Sequence, residues 1–240
     1  MKILDDIIAT IREDAPVSRI CTAAFWTAVV SRNCGLASTV RMECTRHAAP
    51  QVGNSGDMPT ASALELARLS QSELHLEASI GLAAVNSLLE IDEESCVDIN
   101  AREVILEKGR GRRIAVIGHF PFIGKLREAA SEFWVIEKNP SPGDSAEEEA
   151  SEILPKADVV AISGTTLINH TFDEVMLHCR SDSFKVMLGP TTPLSPVLLD
   201  YGLDVICGSR VVDADAAMRS ISQGAIFRQV QGVRLLCLAK

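Results

Sequence analysis

His119 and Glu137 are the side chains best placed, by type and position, to do chemistry in this chain. An imidazole can ligate a metal, carry a proton or pair with an anion. Each follows a short apolar run, Arg113 to Ile117 and then Gly118 for the first, Phe133 to Ile136 for the second. Runs of this kind suit strands buried on both faces. Phe120 follows His119, and Lys138 and Asn139 follow Glu137, clustering charge and amide at what is otherwise an ordinary strand end. Two more apolar runs end in glycine and paired threonines: Gly164, Thr165 and Thr166, and then Gly189, Pro190, Thr191 and Thr192. Glycine lets the chain turn sharply. The threonine hydroxyls then crowd the mouth of the turn or cap the helix that follows. Asn169 offers both a donor and an acceptor, and Arg210 could clamp an anion. In an open α/β sheet the carboxyl ends of the strands form the ligand edge. All these residues are therefore expected along one edge, with both threonine turns lining one pocket.

The first of these turns departs from a dinucleotide site. Gly118 to Gly124 occupies the place of the glycine fingerprint, but Phe120 and Pro121 are bulky where a pyrophosphate needs bare backbone. Glu137 does stand nineteen residues after Gly118, the spacing of an acid that holds a ribose hydroxyl. No G-x-S-x-G turn is present, so no hydrolase triad is visible. His75 and His178 read as helix-surface residues. Earlier in the chain the candidates are Glu43, His47, Asn54, Asp57 and Asn86, several of them in a long Gly/Pro loop over 46–60 that could reach a neighbouring site. Asn86 sits in an apolar, small-residue helix and also reads as a satisfied buried amide.

The elements that must position these residues fall into two textures. Residues 1–108 read as an α+β unit. A helix stripe runs over 3–11, a strand over 19–30 and a returning strand over 36–42, with helices over 60–69 and 72–89. Asn100 to Glu103 forms a capping box for a helix that ends at Gly109. From 109 to 240 strands alternate with helices, which predicts a doubly wound parallel sheet of the α/β class. Its strands are placed at 113–118, 133–137, 158–162, 185–188 and 203–207, with two short strands at the end. Ser141 to Glu149 reads as a solvated acidic segment. Thr171 to Glu174 is a second capping box.

Bulk properties narrow the function classes. Of 240 residues 47% are hydrophobic, enough for a sizeable core, and the formal net charge of -9 argues against a nucleic-acid surface. No run approaches the ~20 apolar residues of a membrane span. Asp5 and Asp6 stand where a signal peptide would be apolar. Seven cysteines without a CxxC pair read as reduced, mostly buried thiols of a cytoplasmic protein. A homo-oligomer is left open.

Four stretches carry a family resemblance. They are Ile117 to Phe122, Ile136 to Pro140 with Pro142-Gly143-Asp144, Ser163 to Asn169, and Gly189 to Leu194, spread over residues ~114 to 210. Their joint occurrence in this order resembles the prokaryotic proteins of unknown function grouped as a "putative heavy-metal chelation" domain. That resemblance implies a Rossmann-like C-terminal domain. It also implies an N-terminal domain like the small domain of enolase, without the enolase barrel and its chemistry, and a ligand site in the cleft between the two. The expected ligand is a divalent or heavy metal ion, or a complex of one, with His119 and Glu137 as ligands and Asp57 or His47 as candidates to join them. The alternative is an enzyme acting on a small anionic or nucleotide-like substrate or cofactor at the same edge.

Overall fold

A computed structural model describes residues 1–40, 51–53, 55–58 and 62–240. The chain opens with α1 (Lys2–Ala9) and then a three-stranded antiparallel meander of β1 (Arg19–Thr22), β2 (Trp26–Val30) and β3 (Cys34–Ser38). One strand was expected over 19–30. The run divides because Ala23 N–H turns back to Trp26 O at 2.9 Å, closing a tight turn. After α2 (Ala63–Ala67), α3 (His75–Leu88) lies across the meander. Its small residues let two backbones approach. A Cβ on Gly81 would sit 1.9 Å from Ser70 N, and one on Gly35 would sit 2.1 Å from Ala83 O, so neither position tolerates a side chain.

Next come α4 (Ala101–Gly109), β4 (Arg113–Ile117), α5 (Ile123–Ala129), β5 (Glu132–Glu137), β6 (Ser145–Ala146) and α6 (Ala150–Ile153). The remainder is β7 (Val159–Ser163), α7 (Phe172–His178), β8 (Phe184–Leu188), α8 (Val197–Asp200), β9 (Val205–Val211), α9 (Ala214–Ser222) and β10 (Val233–Ala239). Among the described residues these strands form one seven-stranded sheet in the order β10-β9-β8-β7-β4-β5-β6, parallel except for β10. The fold is therefore of the expected α/β class. The second of the two short C-terminal strands is β10, whereas the first is a 3-10 turn at Phe227–Gln229. Among the described residues no helix is long and apolar enough to cross a membrane.

The period of two explains why the strands are apolar throughout. Ala115, Val160, Ile162, Met187 and Ile206 face one core, which also contains Ile3, Ile7, Leu82 and Leu88 of α1 and α3. Ile114, Val116, Ala161 and Val186 face the other, with Ile105 of α4 and Leu126 of α5. The N-terminal helices thus share a core with one face of the large sheet. α4, assigned from sequence to the first unit, packs on the other face.

The reading of seven reduced thiols is corrected at one pair. Cys207 and Cys237 are joined by a disulfide, with Cα atoms 4.1 Å apart. The β9–β10 register sets them opposite each other. Cys237 directs its N–H and C=O away from β9, to Val97. Its pairing with Cys207 is therefore of the non-hydrogen-bonded kind, in which side chains approach most closely. Nothing in the linear spacing of these two cysteines announces that register.

Candidate functional site

From β4 the sheet grows through β5 to one side, while β7, which pairs with β4 directly, leads to β8 on the other. The carboxyl ends of β4 and β7 therefore flank the point where strand order reverses, the usual ligand crevice of such sheets. Gly118 leaves β4 with φ of +100°, a conformation that favours glycine, and a Cβ there would lie 3.0 Å from the Ser163 Cβ. A cavity of about 50 Å3 opens beside them.

Of the expected residues, the cavity brings together Gly118, Glu137, Lys138, Thr165, Thr166 and Asn169. It adds Glu147, Ser163 and Thr171, which were not foreseen as site residues. Burial pushes the Glu137 carboxyl up from its ordinary pKa. Nearby His119 and the Lys138 N–H oppose the shift, and Asp144 and Glu147 reinforce it. Lys138 Nζ stands 3.7 Å from Glu147 Oε2. Ser163 Oγ accepts from Thr165 N–H at 3.3 Å and bonds the Thr165 hydroxyl at 2.8 Å, fixing the 3-10 turn at Gly164–Leu167. Thr166 donates to Ser163 O at 2.8 Å and is buried. Asn169 bonds the Thr171 hydroxyl at 2.8 Å, so Thr171 gives α7 no side-chain cap despite its capping-box sequence. His170 is a non-glycine residue at φ 59°, and its Nε2 lies 2.8 Å from Ser70 O of the N-terminal unit.

The acidic segment 141–149 is not simply a solvated face. Ser145 and Ala146 pair with Ile136 and Glu137 as β6, which draws the segment onto the sheet edge. Glu147 then lines the cavity, and the Asp144 side chain is only 6% exposed. His119 stands outside the lining, with Nδ1 3.5 Å from Asp144 Oδ2. Phe120 stacks on Phe122 with ring centroids 5.5 Å apart. Asn139 is exposed and also outside the lining.

The two threonine turns meet back to back, not across a shared pocket. A Cβ on Gly164 would lie 2.7 Å from Thr192 Oγ1, so the second turn packs directly behind the first. Gly189 has φ of +112°, and Pro190 O accepts from Ser209 at 3.2 Å. Thr191 Oγ1 accepts from Ser38 N–H at 2.9 Å, and its carbonyl accepts from Asn86 at 3.1 Å. These residues tie the two units together, and Asn86 is indeed a satisfied amide, bonding Leu36 O as well. Thr192 Oγ1 is buried without a hydrogen-bond partner among the described residues. Arg210 was expected just beyond the fifth strand. β9 runs on through it, placing it three strands from β4 at an ion-pair distance of 3.7 Å from Glu93. It borders a separate hollow with Arg32 and Asn33. Asp57 is exposed, and Glu43, His47 and Asn54 lie outside the described residues.

Among the described residues no three His, Cys, Asp or Glu side chains converge to hold a metal ion. The cavity's own donors are carboxylate, hydroxyl and amide oxygens, which suit hard cations and polar organic groups better than soft metals.

A mostly parallel sheet with a small cavity at its reversal point defines an α/β protein of the open-sheet class. The chain belongs to the family described as "Putative heavy-metal chelation" (DUF364), whose model matches residues 100–238. A second model with the same description (DUF4213) matches residues 4–89. An uncharacterized protein of Methanocaldococcus jannaschii is 29% identical over 194 residues, covering 77% of this chain and 72% of that protein. A crystal structure of a DUF364 protein of unknown function from Desulfitobacterium hafniense superposes with TM-score 0.87 at 23% identity, covering 100% of this chain and 98% of the other. One from Pyrococcus horikoshii gives 0.84 at 20% identity, with the same coverage. These two likenesses establish the fold.

Proposed function

We propose that this protein binds a metal complexed with a small polar organic molecule, and holds the organic part in the cavity between β4, β5 and β7. The observation that carries the reading is the lining. Glu137, Glu147, Lys138, Ser163 and Thr165 all line a space of about 50 Å3 whose walls are otherwise largely apolar. Such a space takes a few waters or one polar group, not a whole cofactor. The deepest part of the ligand is then a hydroxyl or amino group, and the rest lies outward over the rim near His119. A soft ion on its own prefers sulfur and nitrogen donors. A molecule that supplies its own metal donors agrees with both the oxygen lining and the family's description. The metal is cargo in this reading. Every lining residue belongs to the second unit, and the N-terminal unit comes near through His170, beside Asn169, which bonds Ser70.

The nucleotide-enzyme reading, with His119 or Glu137 as acid or base, has less support. The Phe120–Phe122 stack follows the turn that a phosphate would have to approach, and the cavity takes one polar group, not a chain of phosphates. Metal analysis of untagged protein, followed by thermal-shift measurements, separates the two through ligand-linked stabilisation. Zn, Ni, Co, Cu and Fe would be offered bare, as citrate complexes, and beside nucleotides. The citrate complexes should stabilise most, and Glu137→Gln should reduce that effect. Stabilisation by nucleotides alone would favour the enzyme. Equal stabilisation by bare ions would remove the organic partner.

A further inference from the structure

A second hollow, of about 430 Å3, lies where the β2–β3 turn of the N-terminal unit meets the end of β9 and the start of α9. That volume is in the range of small-molecule sites. β9 stands three strands from β4, so the hollow is distinct from the cavity described above. Part of its wall is apolar. Cys34 and Val211 belong to one buried cluster to which both units contribute, and Val212 is 58% exposed. Arg210 lines the same hollow. Register sets it directly opposite Arg234 of β10, and like charges so placed repel. Both guanidiniums lie near Glu93. Arg234 donates to it at 3.0 Å, whereas Arg210 Nε lies 3.7 Å away, beyond hydrogen-bond range. The Arg210 side chain is only 26% exposed, yet among the described residues none of its N–H groups donates a hydrogen bond. A guanidinium so far from water is costly without partners. Arg32, the other guanidinium here, is engaged by Leu88 O, Glu13 O and Glu90. Asn33 holds the β2–β3 turn through its backbone, donating to Ser87 O at 3.0 Å and accepting from Ser31 N–H at 2.8 Å. Its side-chain amide bonds nothing among the described residues.

We propose that this hollow is a second binding site, for a small organic monocarboxylate with an apolar body. The planar fork of Arg210 matches a carboxylate through two parallel hydrogen bonds. The Asn33 amide adds a donor to the same group, and the body lies against Val30, Val211 and Val212. A single negative charge offsets the one guanidinium left without a partner. The Glu93 carboxylate also lines the hollow and opposes a dianion such as phosphate. Because Asn33 belongs to one unit and Arg210 to the other, the bound acid also stabilises their junction. The inference is independent of the chelate reading above and involves no metal.

The test is calorimetric titration of the whole chain with hexanoate, benzoate, acetate and inorganic phosphate, with backbone amides followed by nuclear magnetic resonance. Hexanoate or benzoate should bind at one site per chain, more tightly than acetate, and shift the amides of Asn33, Val211 and Val212. Arg210→Gln should weaken that binding ~10-fold or more. Arg210→Lys keeps the charge but loses the fork, and should weaken it too. Asn33→Ala should weaken it by a smaller factor, and Glu93→Gln should tighten it. Without ligand, Arg210→Gln should melt no lower than wild type, because it relieves the repulsion with Arg234. No saturable binding of either acid, or equal affinity in wild type and Arg210→Gln, would overturn the inference. Phosphate bound as tightly as the acids would also overturn it, marking an unselective anion patch. Shifts confined to Gly118 and Thr165 would place the acid in the first cavity and overturn it as well.

Discussion

Glu137 concentrates the conflict between stability and binding in a single side chain. Burial raises its pKa above the ordinary carboxylate value. A raised folded-state pKa means that the residue's contribution to stability is fully present below the unfolded pKa and is lost as pH rises through the folded one. Above the folded pKa the ionised carboxylate therefore destabilises the fold. Glu137→Gln should melt at a higher temperature than wild type at pH 8 and at nearly the same temperature at pH 4, by calorimetry, while binding the complex more weakly. A variant less stable at pH 8 would mean that Glu137 is paired, not desolvated. Glu137 was legible in the sequence because it ends an apolar run on a polar note. Asp144 and Glu147 were hidden in an acidic stretch, where charge alone predicts solvation. Ser163 was hidden by one residue, since the strand was ended at Ile162 when it runs through Ser163.

At the scale of elements, β4 and β7 are clamped at the end opposite the cavity. Arg113 donates to Asp158 from Nε at 3.0 Å and Nη2 at 2.7 Å, its backbone N–H adds a third bond at 3.1 Å, and Arg180 joins at 3.2 Å. The Arg113 guanidinium leads in holding the Asp158 carboxyl well below the usual carboxylate range. The stability it contributes is present above the unfolded pKa and lost as pH falls toward the folded one. Asp158→Asn should cost about 1–2 kcal/mol at pH 7, after allowing for partial exposure. In urea titrations that gap should narrow steadily below about pH 4. A gap that stays constant to pH 2 would exclude the charge as its cause. At the far edge, the disulfide closes β10 onto β9 across a sequence separation of 30 residues. Cys237→Ser should lower unfolding free energy by about 2–4 kcal/mol. Adding dithiothreitol should lower the wild-type melting temperature and leave the variant's unchanged.

The whole molecule is joined by apolar packing and by a few partly buried polar ties. α1 and α3 share a core with the large sheet. Asn86 reaches from α3 to Leu36 O and Thr191 O, and His170 reaches Ser70 O. Unfolding should therefore appear as one calorimetric transition. Asn86→Ala should cost about 1–3 kcal/mol, because it leaves carbonyls unsatisfied, and should speed amide exchange at Ser38 before the rest of the sheet. Two separated transitions in the wild type would show that the units are independent.

Periodicity and turn chemistry were enough to read the α/β class, the five inner parallel strands, the small-residue helix and the glycine turns, because each is set by neighbours within a few residues. The lateral order of the strands was not readable, since pairing depends on contacts far apart in the chain. That order decides that β4 and β7 meet and that Arg210 stands away from the cavity. It sets the second threonine turn behind the first, where the Thr191 hydroxyl bonds Ser38 of the N-terminal unit. Register, likewise a tertiary property, brought Cys207 opposite Cys237 and folded an acidic segment against His119.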